Sequence, residues 1–295
     1  MQKIEGLSMG GTWSVSFGKE VNAVDLRALV QTALDTVEEQ MSAWRPDSTL
    51  NKVNAAPIGE WVELPKEMAA VVGAGLGLMQ EMPGVFSILL GGASAQFGFV
   101  PGKPCDVSAD PGSVEFDGNR LRRRANVALD LNAIAKGYAA DLATASLVAA
   151  GARNFLVEVA GDICAHGDRA DGTPWTVAIE LPVPDRMIPA RSIPLTNAAI
   201  ATSGGYRRFR GEASHLISPA FKIPLPANGA SVTVIADTAL QADGWATAMA
   251  LLGPKAGLEI AEKRGLSVVF VEPDPPEGFI ERGSAMMAHG LANDI

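Results

Sequence analysis

The chain has 295 residues, 47% of them hydrophobic and 19% charged, with 24 basic against 33 acidic side chains and a net charge of −9. That is long enough for one large or two modest domains with full cores, and the acidic balance argues against bulk nucleic-acid binding, which needs a basic footprint. Two cysteines, Cys105 and Cys164, without a C-x-x-C, make neither a disulfide framework nor a zinc site, and no run reaches the ~18 apolar residues of a membrane span.

The N-terminus, Met-Gln-Lys-Ile-Glu-Gly-Leu-Ser-Met, shows no apolar export core. The expectation is a cytoplasmic protein, or a periplasmic one if an export signal was removed. Residues 11–17 alternate polar and apolar, as a half-buried strand does. From 24 to 41 the set Leu26, Leu29, Val30, Ala33, Leu34, Val37 and Met41 recurs at three and four, the stripe of a helix buried on one face. Pro46 ends that pattern, and Asp47 or Ser48 can cap a short new helix. A strand fragment is expected at 60–65 and a glycine-softened helix at 66–82; residues 83–112, rich in Gly and Pro, carry no readable period. The run Asn119–Arg124 reads as one strand of a hairpin (114–116 and 121–124, turning at Asp117-Gly118-Asn119), not as a nucleic-acid patch.

Residues 129–167 are expected to form a β-helix-β unit. A strand-like start runs through Asn132-Ala-Ile-Ala-Lys-Gly into a helix ending near Gly151, and a strand at 154–159 delivers Ala160-Gly161-Asp162 at its end. Two glycine-bearing corners of this kind can present amides, a lysine and a carboxylate to a nucleotide, though neither G-x-G-x-x-G nor a P-loop is present. Strands are then expected at 175–181, 192–195, 198–202, 231–236 and 266–272, and helices at 238–252 and 254–264. The expected fold is α+β, a mixed sheet with helices packed on it and a second, smaller α/β lobe. Residues 1–272 are read as one domain and 273–295 as an irregular tail.

Four constellations carry chemistry. Asp243 and Thr247, at i and i+4, place a carboxylate and a hydroxyl on one helix face, oxygen donors of the type a hard cation takes; a polar stripe on an exposed face is the alternative. Ser203-Gly204-Gly205 offers amides and a hydroxyl, an anion-binding turn or an ordinary glycine turn. His215, among Ser214 and Ser218, is a candidate general base, although a lone histidine is more often packing or surface. Trp44, just past a helix end, is placed to stack on a planar ring or to pack in a core.

In order along the chain, Met9-Gly-Gly-Thr-Trp-Ser-Val, Met41-Ser-Ala-Trp-Arg-Pro-Asp-Ser-Thr-Leu, Asp130-Leu-Asn-Ala-Ile-Ala-Lys-Gly-Tyr-Ala-Ala-Asp141, Ala160-Gly-Asp-Ile, Ala201-Thr-Ser-Gly, His215-Leu-Ile-Ser-Pro and Ala242-Asp-Gly-Trp-Ala-Thr-Ala resemble the signature blocks of the ApbE family, the FAD:protein FMN transferases. The resemblance spans about residues 7–272. It implies an ApbE-like, T-fold-related architecture and an Mg²⁺-dependent enzyme that cleaves FAD, attaches FMN to a Thr or Ser of a target flavoprotein and releases AMP. It implies metal donors at Asp243, Thr247 and the Ala133 carbonyl, and a base at His215. FAD contacts fall at Met41, Trp44, Lys136, Asp141, Gly161, Asp162, Ser203 and Gly204. The chain departs from the family pattern at Asn132-Ala133, Ala160, Phe86-Ser-Ile-Leu89, Ser218 (a family Asp) and Phe221-Lys-Ile-Pro224 (a family Thr-Gly-x-Pro). Those departures keep two alternatives open: an FAD pyrophosphatase yielding FMN and AMP, and an impaired FAD-binding or flavin-delivery protein.

Overall fold

The alternation at 11–17 does produce a strand, with Trp13, Val15 and Phe17 all but fully buried, in the computed structural model, which describes residues 1–18, 23–183, 186–276 and 278–287. The elements run β1 (Gln2–Ser8), β2 (Gly11–Phe17), α1 (Ala23–Met41), α2 (Thr49–Ala55), β3 (Val62–Glu63), α3 (Lys66–Glu81), α4 (Gly91–Gln96), β4 (Val114–Phe116), β5 (Arg120–Arg123) and α5 (Ala135–Ala149). They continue with β6 (Phe155–Val159), β7 (Asp162–His166), β8 (Trp175–Glu180), β9 (Pro189–Leu195), β10 (Ala198–Gly204), β11 (Phe209–Arg210), β12 (Ala213–Ser218), β13 (Ile223–Pro226), β14 (Ser231–Ala236), α6 (Ala239–Arg264), β15 (Ser267–Asp274) and β16 (Gly278–Gly283).

The main sheet has eight strands in the order β1-β2-β6-β7-β10-β14-β15-β16. The fold is α+β, but each pairing in this sheet is antiparallel, which corrects the mixed-sheet expectation. Its two faces are covered differently because side chains alternate along each strand. Phe155, Val157, Val159, Cys164 and Ala199 pack under α1, α3 and α5, and Val232, Val234, Val268 and Phe270 pack under α6. The intervening residues Leu156, Ile163, Ala165, Ile200, Val269 and Val271 face the β8–β9 ribbon through Trp175, Val177, Ile179, Ile193 and Leu195. Two smaller sheets, β3-β5-β4 and β11-β12-β13, flank this body.

The stripe expected on α1 is buried at Leu26, Val30, Ala33, Leu34, Val37 and Met41, and Ser48 caps α2 by accepting from the Asn51 amide at 3.1 Å. The two helices expected at 238–252 and 254–264 form one element broken at Gly253, whose φ of 73° and the following Pro254 interrupt the helical path. Two further expectations fail. Residues 129–134 form no strand; only an isolated bridge, Asp106 to Val127, lies nearby, so α5 is entered from a loop. The tail is ordered into a hairpin, with β15 reaching Asp274 and β16 adding the edge strand. Its prolines sit where β15 ends and the chain turns, positions that need no ladder donor. Residues 288–295 lie outside the described residues. No helix among those described is long and apolar enough to cross a membrane.

Candidate active site

The site grows from the crossing of α5 and α6. Gly137 makes that crossing: a Cβ there would lie 2.1 Å from the Ala239 carbonyl oxygen, so only glycine lets the two backbones approach this closely. One position earlier, Lys136 reaches across and its ammonium donates to Asp243 Oδ1 and Oδ2 at 2.8 and 2.9 Å and to Asp162 Oδ2 at 2.9 Å. The Gly137 amide donates to Asp243 Oδ2 at 3.1 Å. One turn further along α6, the Thr247 hydroxyl donates to the Ala133 carbonyl at 3.5 Å. Asp243, Thr247, Ala133, Lys136 and Asp162 are therefore one cluster, as the residue types suggested.

The electrostatics of this cluster are lopsided. Asp162 and Asp243 are 2% and 4% exposed, so two buried carboxylates share one ammonium. Burial, then the Asp243 charge, pushes the Asp162 carboxyl well above the usual carboxylate range, against the pull of Lys136. Burial opposes the Lys136 charge, but the two carboxylates outweigh it and raise its pKa, so the lysine stays cationic. Two buried carboxyl groups facing one ammonium cannot both ionise cheaply, a condition that a proton on Asp162 or a further cation relieves. Among the described residues no three His, Cys, Asp or Glu side chains gather as a metal cluster. The donors here are instead one carboxylate, one hydroxyl and one carbonyl, an all-oxygen set that suits a hard cation completing its shell with water or phosphate.

Asp162 arrives differently from the expectation. It is the first residue of β7, delivered by a two-residue hairpin in which Ala160 (φ 49°) and Gly161 (φ 97°) are both left-handed. β10 pairs with β7 only as far as Ile200 opposite Ile163, so residues 201–204 continue past the end of β7 where Asp162 sits. On their other side they pair with β14, Ser203 opposite Val232 and Gly204 opposite Ser231. Ser203 and Gly204 thus form a strand overhang beside the lysine cluster rather than a turn.

His215 lies on β12, a strand that contacts α6. Its Nδ1 is 3.0 Å from the Arg208 carbonyl, which also accepts the His215 amide at 3.1 Å. That pairing assigns the Nδ1 proton and leaves Nε2 with a lone pair. Burial holds the imidazole below its ordinary 6.5; the Arg208 and Lys136 cations add to the drop, while the Arg208 carbonyl and Asp130 oppose it.

Trp44 is 61% exposed, free to stack on a ring, whereas Met41 is buried in the helical core and offers no such face. Asp141 also turns elsewhere. Its two oxygens accept the Ala239 and Leu240 amides, each at 2.8 Å, and Oδ1 accepts a hydrogen bond from the Cys164 thiol at 3.4 Å. Asp141 thus caps the start of α6 across the helix crossing, and Met41 packs in the core at the end of α1.

Two residues that the sequence reading passed over hold the parts together. On α2, Asn51 donates to the Ala43 and Arg45 carbonyls at 3.1 and 2.7 Å, fixing the Trp44 loop, while Asn54 pairs with both the carbonyl and the amide of Leu129 at 2.9 and 2.7 Å. The spacing Asn-x-x-Asn, one helix face, was the available signal. The departures also find places. Ser218 accepts the Phe221 amide at 3.3 Å, closing its own turn and leaving the imidazole to the Arg208 carbonyl. Residues 86–89 are core, with Ser87 donating to the Ser108 carbonyl at 2.7 Å.

The sequence model of the ApbE family matches residues 9–270. The FAD:protein FMN transferase of Salmonella typhimurium is 30% identical over an alignment covering 94% of this chain and 86% of that protein. Its counterpart in Vibrio cholerae is 29% identical, covering 96% and 90%. Among solved structures, the flavinyl transferase ApbE of Pseudomonas stutzeri in its apo form superposes with a TM-score of 0.86 at 31% identity, over 100% of this chain and 97% of that one.

Proposed function

The chain belongs to the ApbE family, and from that premise we propose that it transfers FMN from FAD to a serine or threonine hydroxyl of a target flavoprotein, releasing AMP, with Mg²⁺ as its metal. The observation that carries this reading is the gathering of the Lys136–Asp162–Asp243 cluster with the Thr247–Ala133 oxygen pair, beside a strand that contacts α6 and carries His215. The curated relatives bear the name of this reaction.

Asp243, Thr247 and the Ala133 carbonyl would hold the metal, which would offset the negative charge of the phosphates. Lys136 adds a fixed cation, and the overhanging Ser203 and Gly204 supply further polar groups for the pyrophosphate. The exposed Trp44 indole stacks on the isoalloxazine ring. His215 Nε2 takes the proton of the acceptor hydroxyl, whose oxygen then bonds to the FMN phosphorus as the bond to the AMP oxygen breaks. Activating an otherwise weak hydroxyl nucleophile is worth roughly 10²–10⁴-fold in rate. Positioning and charge neutralisation supply the remainder, as phosphoryl transfer requires.

The test is to incubate the protein with FAD, Mg²⁺ and a candidate flavoprotein and to follow AMP and protein-bound flavin fluorescence. Covalent flavin on the target with stoichiometric AMP is expected. AMP without labelled protein would reassign the site to FAD hydrolysis, and FAD binding without AMP would reduce it to a flavin carrier.

A further inference from the structure

Asp130 begins the segment that delivers Ala133 and Lys136, and its carboxylate bonds along its own loop and across to α4. A loop has no strand ladder to fix where its carbonyls point, so side chains must do so. Asn54 clamps both polar groups of Leu129, and the Asp130 amide donates to the Ile88 carbonyl at 2.8 Å. Asp130 Oδ1 then accepts the Asn132 backbone amide at 3.0 Å and the Asn132 side-chain amide at 2.7 Å. This closes a turn over Leu131, whose side chain is fully buried and whose carbonyl accepts the Ile134 and Ala135 amides that start α5. The Ala133 carbonyl lies between those two fixed points, 3.5 Å from the Thr247 hydroxyl.

The other carboxylate oxygen is anchored outside the loop. Oδ2 accepts the Ser94 hydroxyl at 2.5 Å, a short charge-assisted bond from a residue only 5% exposed. Ser94 lies on α4, and α4 is firmly seated. Its Gly91 amide donates to the Ala128 carbonyl at 2.9 Å, and a Cβ at Gly91 would lie 2.7 Å from the Leu129 carbonyl oxygen. Its Ala93 packs with Phe99 and with Ile217 of β12, the strand of His215. The Phe99 carbonyl in turn accepts from Arg208, whose own carbonyl holds the His215 ring.

We propose that Asp130 is a positioning residue which, anchored on Ser94 and bonded to Asn132, aims the Ala133 carbonyl at the metal. The proposal rests on the metal assignment above. Asp130 acts through the turn it closes, so its acceptor geometry matters and its charge does not. Asparagine meets the same need: its Oδ1 accepts from Asn132, and its amide donates to Ser94 Oγ once that hydroxyl has turned. Alanine meets none of it, and the loop between Leu129 and α5 loses the bonds that set the direction of the Ala133 carbonyl.

The experiment titrates Mg²⁺ alone into the full chain by calorimetry, with the urea midpoint of each variant measured beside it. Asp130→Ala should raise the Mg²⁺ Kd roughly 10–100-fold, whereas Asp130→Asn should stay within about threefold of the wild type. Ser94→Ala, which frees Oδ2 but keeps the turn, should raise the Kd roughly tenfold. A Kd as high in Asp130→Asn as in Asp130→Ala would assign the effect to charge and overturn the proposal. So would a lowered urea midpoint in Asp130→Ala with an unchanged Kd, which would leave Asp130 a purely structural residue. Should Asp130→Ala not fold, Ser94→Ala decides alone, an unchanged Kd there overturning the proposal. Asp243→Ala separates the two readings: Mg²⁺ binding that survives it intact would remove the metal assignment, and the positioning with it. Binding lost in Asp243→Ala but unchanged in Asp130→Ala would overturn the positioning only.

Discussion

His215 shows how one backbone carbonyl can do what a carboxylate does elsewhere. The Arg208 oxygen fixes the tautomer and the ring orientation, so Ser218 in place of an acidic residue leaves the imidazole oriented. Because burial lowers the imidazole pKa from 6.5, the neutral, proton-accepting form persists to lower pH than in a free histidine. The acid limb of the rate profile should therefore fall below pH 6.5, and His215→Asn should lower the transfer rate by roughly 10²–10⁴-fold while FAD binding measured by fluorescence stays; an acid limb well above 6.5 would count against this base. Ala160 gives a second residue-scale expectation. Its φ of 49° strains an alanine in a turn built for glycine. Ala160→Gly should raise the denaturation free energy by about 1 kcal/mol, readable as a shifted urea midpoint.

At the scale of elements, the site is a product of how α5 and α6 cross. Gly137 permits the approach and Asp141 sets where α6 begins along it, so Lys136 meets Asp243 one turn later. Gly137→Ala pushes a methyl into the Ala239 carbonyl and should cost about 3 kcal/mol or more of stability together with metal binding, checked by denaturant melts and Mg²⁺ titration. The chemistry-bearing pieces of this arrangement were legible because each depends on residue type and local spacing: the i, i+4 pair on α6, the serine-glycine run, the exposed tryptophan after α1. The cap role of Asp141 was not, since it is made with backbone amides 98 and 99 positions away. Nor was β16, where prolines masked an edge strand, or the loop before α5, whose apolar residues Leu129 and Leu131 are buried without pairing in a sheet. A period of two betrays a half-buried strand, whereas a buried loop leaves no period to read.

For the whole molecule, a divalent cation bound at the proposed Asp243 donor set would add to the stability of the fold. Mg²⁺ at about 100 times its Kd should stabilise the folded chain by ~2.7 kcal/mol, a rise of a few degrees in Tm by differential scanning fluorimetry. Asp243→Ala should abolish that rise; an equal rise in the variant would place the cation elsewhere. Architecture at this scale was only partly visible in advance. Helices and strands in an α+β mixture follow from patterning, but the antiparallel order of eight strands drawn from both halves of the chain is a property of long-range pairing that no local pattern encodes.

Lys136 and Asp243 stand 107 positions apart, and that separation has a consequence for the timing of biosynthesis. A chain growing on a ribosome exposes the Trp44 loop, Lys136 and Asp162 well before α6 has been made. Contacts between distant positions also form late in folding, after the loops that join them have closed. The groups proposed to split FAD therefore come together only once α6 has been made, and a half-made chain that meets the dinucleotide has no means of consuming it.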